Sequence, residues 1–261
     1  MPGSEEQVKS RERVEKHGEV LTARREVDAM LDLVKAEASR IESRFLEPAC
    51  GTGNFLIAIL ERKLDTLDRK VAQKEKKLKK AEKSTGWKNA VYDMDSLTAI
   101  TSLYGIDILE DNVKETRERL RNYYVERYQR TIGFPPKQEL LDAVECILEC
   151  NILLGDAIHN SKEVTIPGVP GLDQIVFTEW GRIDEDFKRR EFRYEFMSED
   201  GTEKKKDEKP QQMLLFDDEP QPQQHDVLTT DDGREIYKPA PIREYPLTHF
   251  SKLKPRGEAN A

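Results

Sequence analysis

Phe45-Leu46-Glu47-Pro48-Ala49-Cys50-Gly51-Thr52-Gly53-Asn54-Phe55-Leu56 runs from an apolar strand end, through an acid and a tight turn, into an amphipathic helix. Glycine has no Cβ, so a turn built on Gly51 and Gly53 lets the backbone approach a bound nucleoside closely. Open α/β sheets place their ligands at the carboxyl ends of parallel strands, and this turn belongs at such an end. A Gly-x-Gly pair alone says little, so its meaning depends on what surrounds it.

Upstream, His17-Gly18-Glu19-Val20-Leu21-Thr22 leads into apolar residues at 27, 30, 31 and 34, the spacing of one helix face. Downstream, Ile57, Leu60, Leu64, Leu67, Val71 and Leu78 recur in alternating steps of three and four. That seam predicts one long helix that projects beyond the sheet as an arm. Its outer part, Arg69 to Lys88, holds nine basic residues against Glu75 and Glu82. A solvated face is the plain reading of that stretch, and a contact with DNA or a partner helix is the other.

Leu103-Tyr104-Gly105-Ile106-Asp107-Ile108 reads as a second buried strand ending in an acid, followed by a helix carrying Val113, Leu120 and Tyr124. Phe134-Pro135-Pro136 marks a helix boundary. A helix over 140–148 follows, and then Asn151-Ile152-Leu153-Leu154-Gly155-Asp156-Ala157 supplies a third strand with an acid just beyond it. Strands alternating with helices predict βαβ units and a parallel sheet. Ile175-Val176-Phe177 and the alternation Phe192, Tyr194, Phe196 then suggest an antiparallel pair turning around Trp180-Gly181.

The twelve residues 45–56 closely resemble the S-adenosylmethionine motif of the gamma-class N6-adenine-specific DNA methyltransferases of restriction–modification systems. The upstream threonine, the glycine turn, Asp107 and Asp156 stand in that family's order, over about residues 15–160. The resemblance implies a Rossmann-like α/β S-adenosylmethionine-dependent methyltransferase sheet. It places Glu47 near the cofactor's amino-acid end, with Thr22 reaching the carboxylate and the backbone of Ala49, Gly51 and Gly53 packing under the ligand. It gives Asp107 the ribose hydroxyls, Asp156 the adenine amino group, and Ile108 and Ala157 the faces of the ring. Glu47 as a loop cap and Asp156 as a turn residue are the plain alternatives. A nicotinamide site fits less well, because the three-glycine fingerprint and its nearby acid are missing.

One family element is not found: an Asn or Asp, then Pro-Pro and an aromatic residue, after a fourth strand. That loop holds the target amino group and stacks on a base swung out of the duplex. The only Pro-Pro, Pro135-Pro136, precedes the third strand and ends in Lys137; Ile175-Val176-Phe177-Thr178-Glu179-Trp180 resembles the strand but not the motif. In the family fold the first strand is central, so a sheet ending after the third strand leaves a hydrophobic edge to be covered. The expectation is the cofactor-binding subunit of a split adenine methyltransferase, with a second subunit bringing the catalytic motif and a target-recognition domain. The alternative is a non-catalytic, cofactor-responsive binding subunit. A third reading puts Glu179 and Trp180 in divergent catalytic roles.

With 36% hydrophobic and 36% charged residues, part of the 261-residue chain stays outside any core, and roughly 150–170 residues are expected to pack. The net charge of −8 argues against tight DNA binding by this chain alone, though not beside a more basic partner. No run of about 18 apolar residues and no signal-peptide core is visible, which predicts a cytoplasmic protein away from membranes. Cys50, Cys146 and Cys150 read as buried thiols without metal-ligand spacing. The expected organisation is an N-terminal helical region over 1–43, the methyltransferase core over 44–160, a hairpin-like extension over 161–197 and a disordered acidic tail over 198–261. Within that tail, Gln212-Met213-Leu214-Leu215-Phe216 resembles the peptide by which bacterial proteins dock on the replication sliding clamp; an anchor onto this domain or its partner is the plainer reading.

Overall fold

The computed structural model describes residues 13–15, 20–77, 85–157, 175–194, 226–229, 235–238 and 240–255. It is a mixed α/β structure around a three-stranded parallel sheet. The order is β1 (Phe45–Glu47), β2 (Leu103–Asp107), β3 (Ile152–Leu154). Phe45 pairs with Leu103 and Glu47 with Gly105, while Gly105 pairs with Ile152 and Asp107 with Leu154. This register brings the carboxyl ends of all three strands to one edge. Among the described residues, β1 has a strand neighbour on one side only, and its Leu46 is 39% exposed.

Strand alternation divides the sheet into two faces. Leu103 and Ile152 face the main helical core, whereas Tyr104, Ile106 and Leu153 face a smaller cluster with Ile175 and Phe177. Helix α1 (Arg24–Leu33) and the short α2 (Lys35–Ser39) precede β1 and bury Val27, Leu31 and Ala38. The glycine turn enters α3 (Asn54–Lys77), whose Leu56, Leu60, Leu64, Leu67 and Val71 are all buried. Each such leucine contributes about 1.5–3 kcal/mol of hydrophobic stabilisation.

That burial corrects the expectation of a projecting arm. The chain returns in α4 (Thr85–Thr101), which packs on α3 with Tyr92, Leu97 and Ile100 fully buried. Lys74 lies 4.9 Å from the Trp87 ring centre and Lys88 3.9 Å from Glu75, so the far ends of the two helices meet. The heptad seam therefore faces a neighbouring helix within the same chain. Helix α5 (Glu110–Ile132) ends at Gly133 with φ of 98°, and α6 (Gln138–Asn151) starts beyond Pro135-Pro136. Buried Arg127 on α5 pairs with Asp65 and Asp68 of α3.

Lys63 of α3 is fully buried and locks the amino ends of β1 and β2 together. Its ammonium donates to the carbonyls of Ile41 (3.0 Å) and Ser43 and to Ser102 Oγ (2.6 Å). Burial pushes it down toward about 7, against the opposing charges of Glu42 and Glu37.

The hairpin extends over β4 (Val176–Ile183) and β5 (Asp186–Arg193), with Phe177 opposite Phe192. Its turn is at Asp184-Glu185, where Asp184 has φ of 53°, and not at Trp180-Gly181, which lie inside β4. Trp180 is buried against α6, so the apolar pattern continues through the expected turn.

The composition of 198–261 predicts a tail without a fold, yet 240–255 has one. Strands β8 (Arg243–Glu244) and β9 (Thr248–His249) pair with β5, and the turn Phe250–Lys252 packs on α6. Leu253 is buried, Lys254 pairs with Asp142, and Arg189 stacks 3.4 Å from the Tyr245 ring centre. Two-residue strands leave no periodicity to read, so the segment is featureless as sequence. Strands β6 (Asp226–Thr229) and β7 (Glu235–Lys238) pair with each other. Phe196 and Gln212–Phe216 lie outside the described residues. Among the described residues no helix is long and apolar enough to cross a membrane.

Candidate functional site at the carboxyl edge of the parallel sheet

Because β1, β2 and β3 are parallel, Glu47, Asp107 and Asp156 stand in that order along one sheet edge. Two strand spacings separate the outer pair, so the row spans ~10 Å at the backbone. Glu47 and Asp107 occupy the same face, since Glu47 opposes Gly105 and Asp107 follows two residues later. The three predicted acids are therefore brought together on one side of the molecule.

The glycine turn folds over the end of β2. Cys50 N–H donates to Ile106 O (2.8 Å), and Gly53 N–H donates to Cys50 O (2.8 Å). Gly51 and Gly53 have φ of 51° and 84°, values that L side chains rarely adopt. A Cβ on Gly53 would meet Thr116 Cγ2 at 2.8 Å, and one on Gly51 would meet Leu21 Cδ2 at 3.2 Å. The space that the glycines leave is thus used first by Thr116 of α5 and by Leu21. Both glycines have internal reasons to be there, separate from any ligand.

Glu47 is half-buried, and its Oε1 accepts one hydrogen bond, from Ala49 N–H at 3.3 Å. Burial raises its carboxyl above the usual range, and the bond from Ala49 offsets this in part. Among the described residues no cation pairs with it. A carboxylate held partly out of water without a counter-ion is poised to accept an ammonium.

Asp107 is 8% exposed and already engaged. Its Oδ2 accepts Gly51 N–H (2.8 Å), and its Oδ1 accepts Leu109 N–H (2.9 Å) and Asn112 Nδ2 (3.2 Å). Asp156 is half-buried just past β3, beside Gly155, whose N–H donates to Asp107 O at 2.9 Å. Ile108 is 47% exposed at the same edge, and Ala157 packs on the smaller apolar cluster together with Tyr194. Thr22 is tied to the start of α3, because its carbonyl accepts Asn54 Nδ2 at 2.9 Å. Ala49 is exposed at the top of the turn.

Sequence reading missed the residues that shape this bend. Thr116 Oγ1 donates to Gly51 O (2.9 Å), and Arg119 reaches Thr52 Oγ1 (2.9 Å) and Asn54 Oδ1 (3.0 Å). Their helical spacing on α5, Asn112, Thr116 and Arg119, was the available signal: polar groups on an otherwise apolar face. Cys50 is buried, and burial with the charges of Asp107 and Glu47 pushes its thiol up to about 12, which favours the neutral, packed form over the thiolate.

Glu179 and Trp180 do not join the site. Glu179 pairs with Arg44 (3.0 Å) and Arg190 (2.6 Å), and Trp180 Nε1 donates to Asn151 Oδ1 (3.0 Å) at the amino end of β3. A pocket of about 200 Å³ between Arg44, Ser102 and Arg182 opens at that opposite edge and contains none of the predicted cofactor residues. No protein-family model, no curated protein and no solved structure matches the chain.

Proposed function

We propose that this chain binds S-adenosylmethionine along the carboxyl edge of its sheet and is the cofactor-binding subunit of a split DNA adenine-N6 methyltransferase. The observation that carries this reading is the glycine bend standing on an edge strand, with Glu47 at its foot and no cation beside it among the described residues. The cofactor has a cationic amino end, a ribose diol and a purine. Glu47 would receive the ammonium, the backbone around Gly51 the ribose side, and Asp156 with Ile108 and Ala157 the adenine. Glu47 then gains in the bound state the electrostatic partner it lacks when free, since hydrogen bonds between ionised groups are the strong ones.

The outer edge of β1, which has no strand neighbour among the described residues, supports a partner that adds a strand there. That partner would carry the Asn-or-Asp, Pro-Pro, aromatic loop, which is not found among these 261 residues. Methyl transfer then needs the target adenine turned out of the duplex, with its amino nitrogen aligned on the sulfonium methyl. This chain's part is to hold the methyl donor and exclude water beneath it.

Titration of radiolabelled S-adenosylmethionine onto the purified chain, alone and with a candidate partner, tests the reading. Binding, followed by methyl transfer to adenine in DNA by the pair, is the expected result. Binding without transfer under any pairing favours the second reading, a subunit that responds to the methyl donor as a ligand. Absence of binding in both states removes both.

A further inference from the structure

We infer that Asp107 is a positioning residue that sets the glycine bend, and that the ribose hydroxyls are not its partners. The inference deepens the proposed cofactor site and rests on that reading only for its ligand half. Both carboxylate oxygens are turned inward. Oδ2 holds Gly51 N–H at 2.8 Å, and Oδ1 is shared by Leu109 N–H at 2.9 Å and Asn112 Nδ2 at 3.2 Å. With the residue 8% exposed and three donors on two oxygens, the acid closes a ring between the bend and the first turn of α5.

The ring continues at both ends. Asn112 Oδ1 accepts from Arg13 (3.1 Å), and Gly51 O accepts from Thr116 Oγ1 (2.9 Å). Gly51 is therefore clamped through its N–H by Asp107 and through its carbonyl by Thr116, which fixes a peptide whose φ is 51°. These two bonds oppose any relaxation of the bend toward an ordinary φ. Aspartate has the reach that the clamp requires.

Three measurements decide it. First, hydrogen exchange on the ligand-free wild type: protection of the Gly51 and Leu109 amides is expected, and exchange at the rate of an open loop overturns the inference. Second, Asp107→Asn replaces one acceptor by an amide that faces a donor, so its ligand-free melting midpoint falls by about 4–8 °C; an unchanged midpoint overturns the inference. Third, affinity for S-adenosylmethionine and for its 2′-deoxy analogue is measured well below both midpoints, with the remote core variant Leu97→Ala as a destabilised control. Asp107→Asn is expected to weaken both ligands by about tenfold, an interaction of charge-assisted size, while Leu97→Ala leaves them within about twofold.

Equal loss for the two ligands marks a positioning role. Loss confined to the ligand bearing the 2′-hydroxyl marks a ribose acceptor and overturns the inference, as does unaltered affinity. If Asp107→Asn does not fold, Asn112→Ala carries the same arms. Should wild type bind neither ligand, the cofactor reading fails, while the exchange and melting results still decide the clamp.

Discussion

Replacing Gly53 by alanine separates two costs that the fold imposes on one position. The first is conformational: a φ of 84° strains any residue with a Cβ, at about 1–3 kcal/mol. The second is steric. The new Cβ would sit 2.8 Å from Thr116 Cγ2 and 3.1 Å from its Oγ1, and overpacking of this kind costs about 1–3 kcal/mol. Gly53→Ala is therefore expected to lose about 2–6 kcal/mol, the sum of those two ranges. Thr116→Ala removes the steric part but leaves the strain, with a residual 3.3 Å contact to the Thr116 Cβ that small shifts relieve. On its own it loses a bond to Gly51 O and a buried methyl, about 1–3 kcal/mol. In the double mutant, Gly53→Ala should cost about 1–3 kcal/mol less than in wild type, a coupling typical of residues in contact. Urea unfolding followed by the fluorescence of Trp87 and Trp180 reads all four corners of the cycle. An equal cost of Gly53→Ala in both backgrounds refutes the steric reasoning, and a cost under about 0.5 kcal/mol refutes the strain as well.

Glu47→Gln should stabilise the ligand-free chain at neutral pH while weakening S-adenosylmethionine about 10- to 100-fold, the worth of a charged hydrogen bond. The folded carboxyl titrates above its unfolded value, so Glu47's own contribution to stability is full below about pH 4 and is lost as pH rises through the folded value. The variant lacks that fall, and unfolding at pH 4 and pH 7 shows it; a variant less stable than wild type at pH 7 contradicts the account. Leu46→Lys should change the isolated chain's stability by less than about 0.5 kcal/mol, because the residue is already 39% exposed. The same change should abolish co-purification with a partner that pairs with β1, and retained pairing would falsify that use of the edge. Lys63→Met strands the acceptors at Ile41, Ser43 and Ser102 and should cost about 2–4 kcal/mol in urea unfolding. A neutral result there would mean that the ammonium bridge contributes little.

The parallel sheet was legible because its strands are short apolar runs ending in Glu47, Asp107 and just before Asp156, each bounded by a helical pattern. The same order placed the three acids on one edge. What the sequence hid was tertiary. The Leu60-Leu64-Leu67-Val71 seam has the same period whether it faces a partner or faces α4, so the helical hairpin read as an arm. Asp107 was legible as an acid at a strand end, but its bonds from the Gly51 and Leu109 amides were not, because backbone donors carry no side-chain signature. Residues 240–255 read as tail because strand addition to β5 needs only two residues at a time. Glycines 51 and 53 suggested a ligand, but their neighbours Leu21 and Thr116 supply an internal reason for each.

Calorimetric titration of S-adenosylmethionine onto the purified chain, with Glu47→Gln beside it, tests the central claim most directly. The account predicts a single site that saturates in wild type and weakens at least tenfold in the variant, the size of a lost charged contact. No heat and no retention of labelled cofactor, alone or with a strand-donating partner, would contradict it.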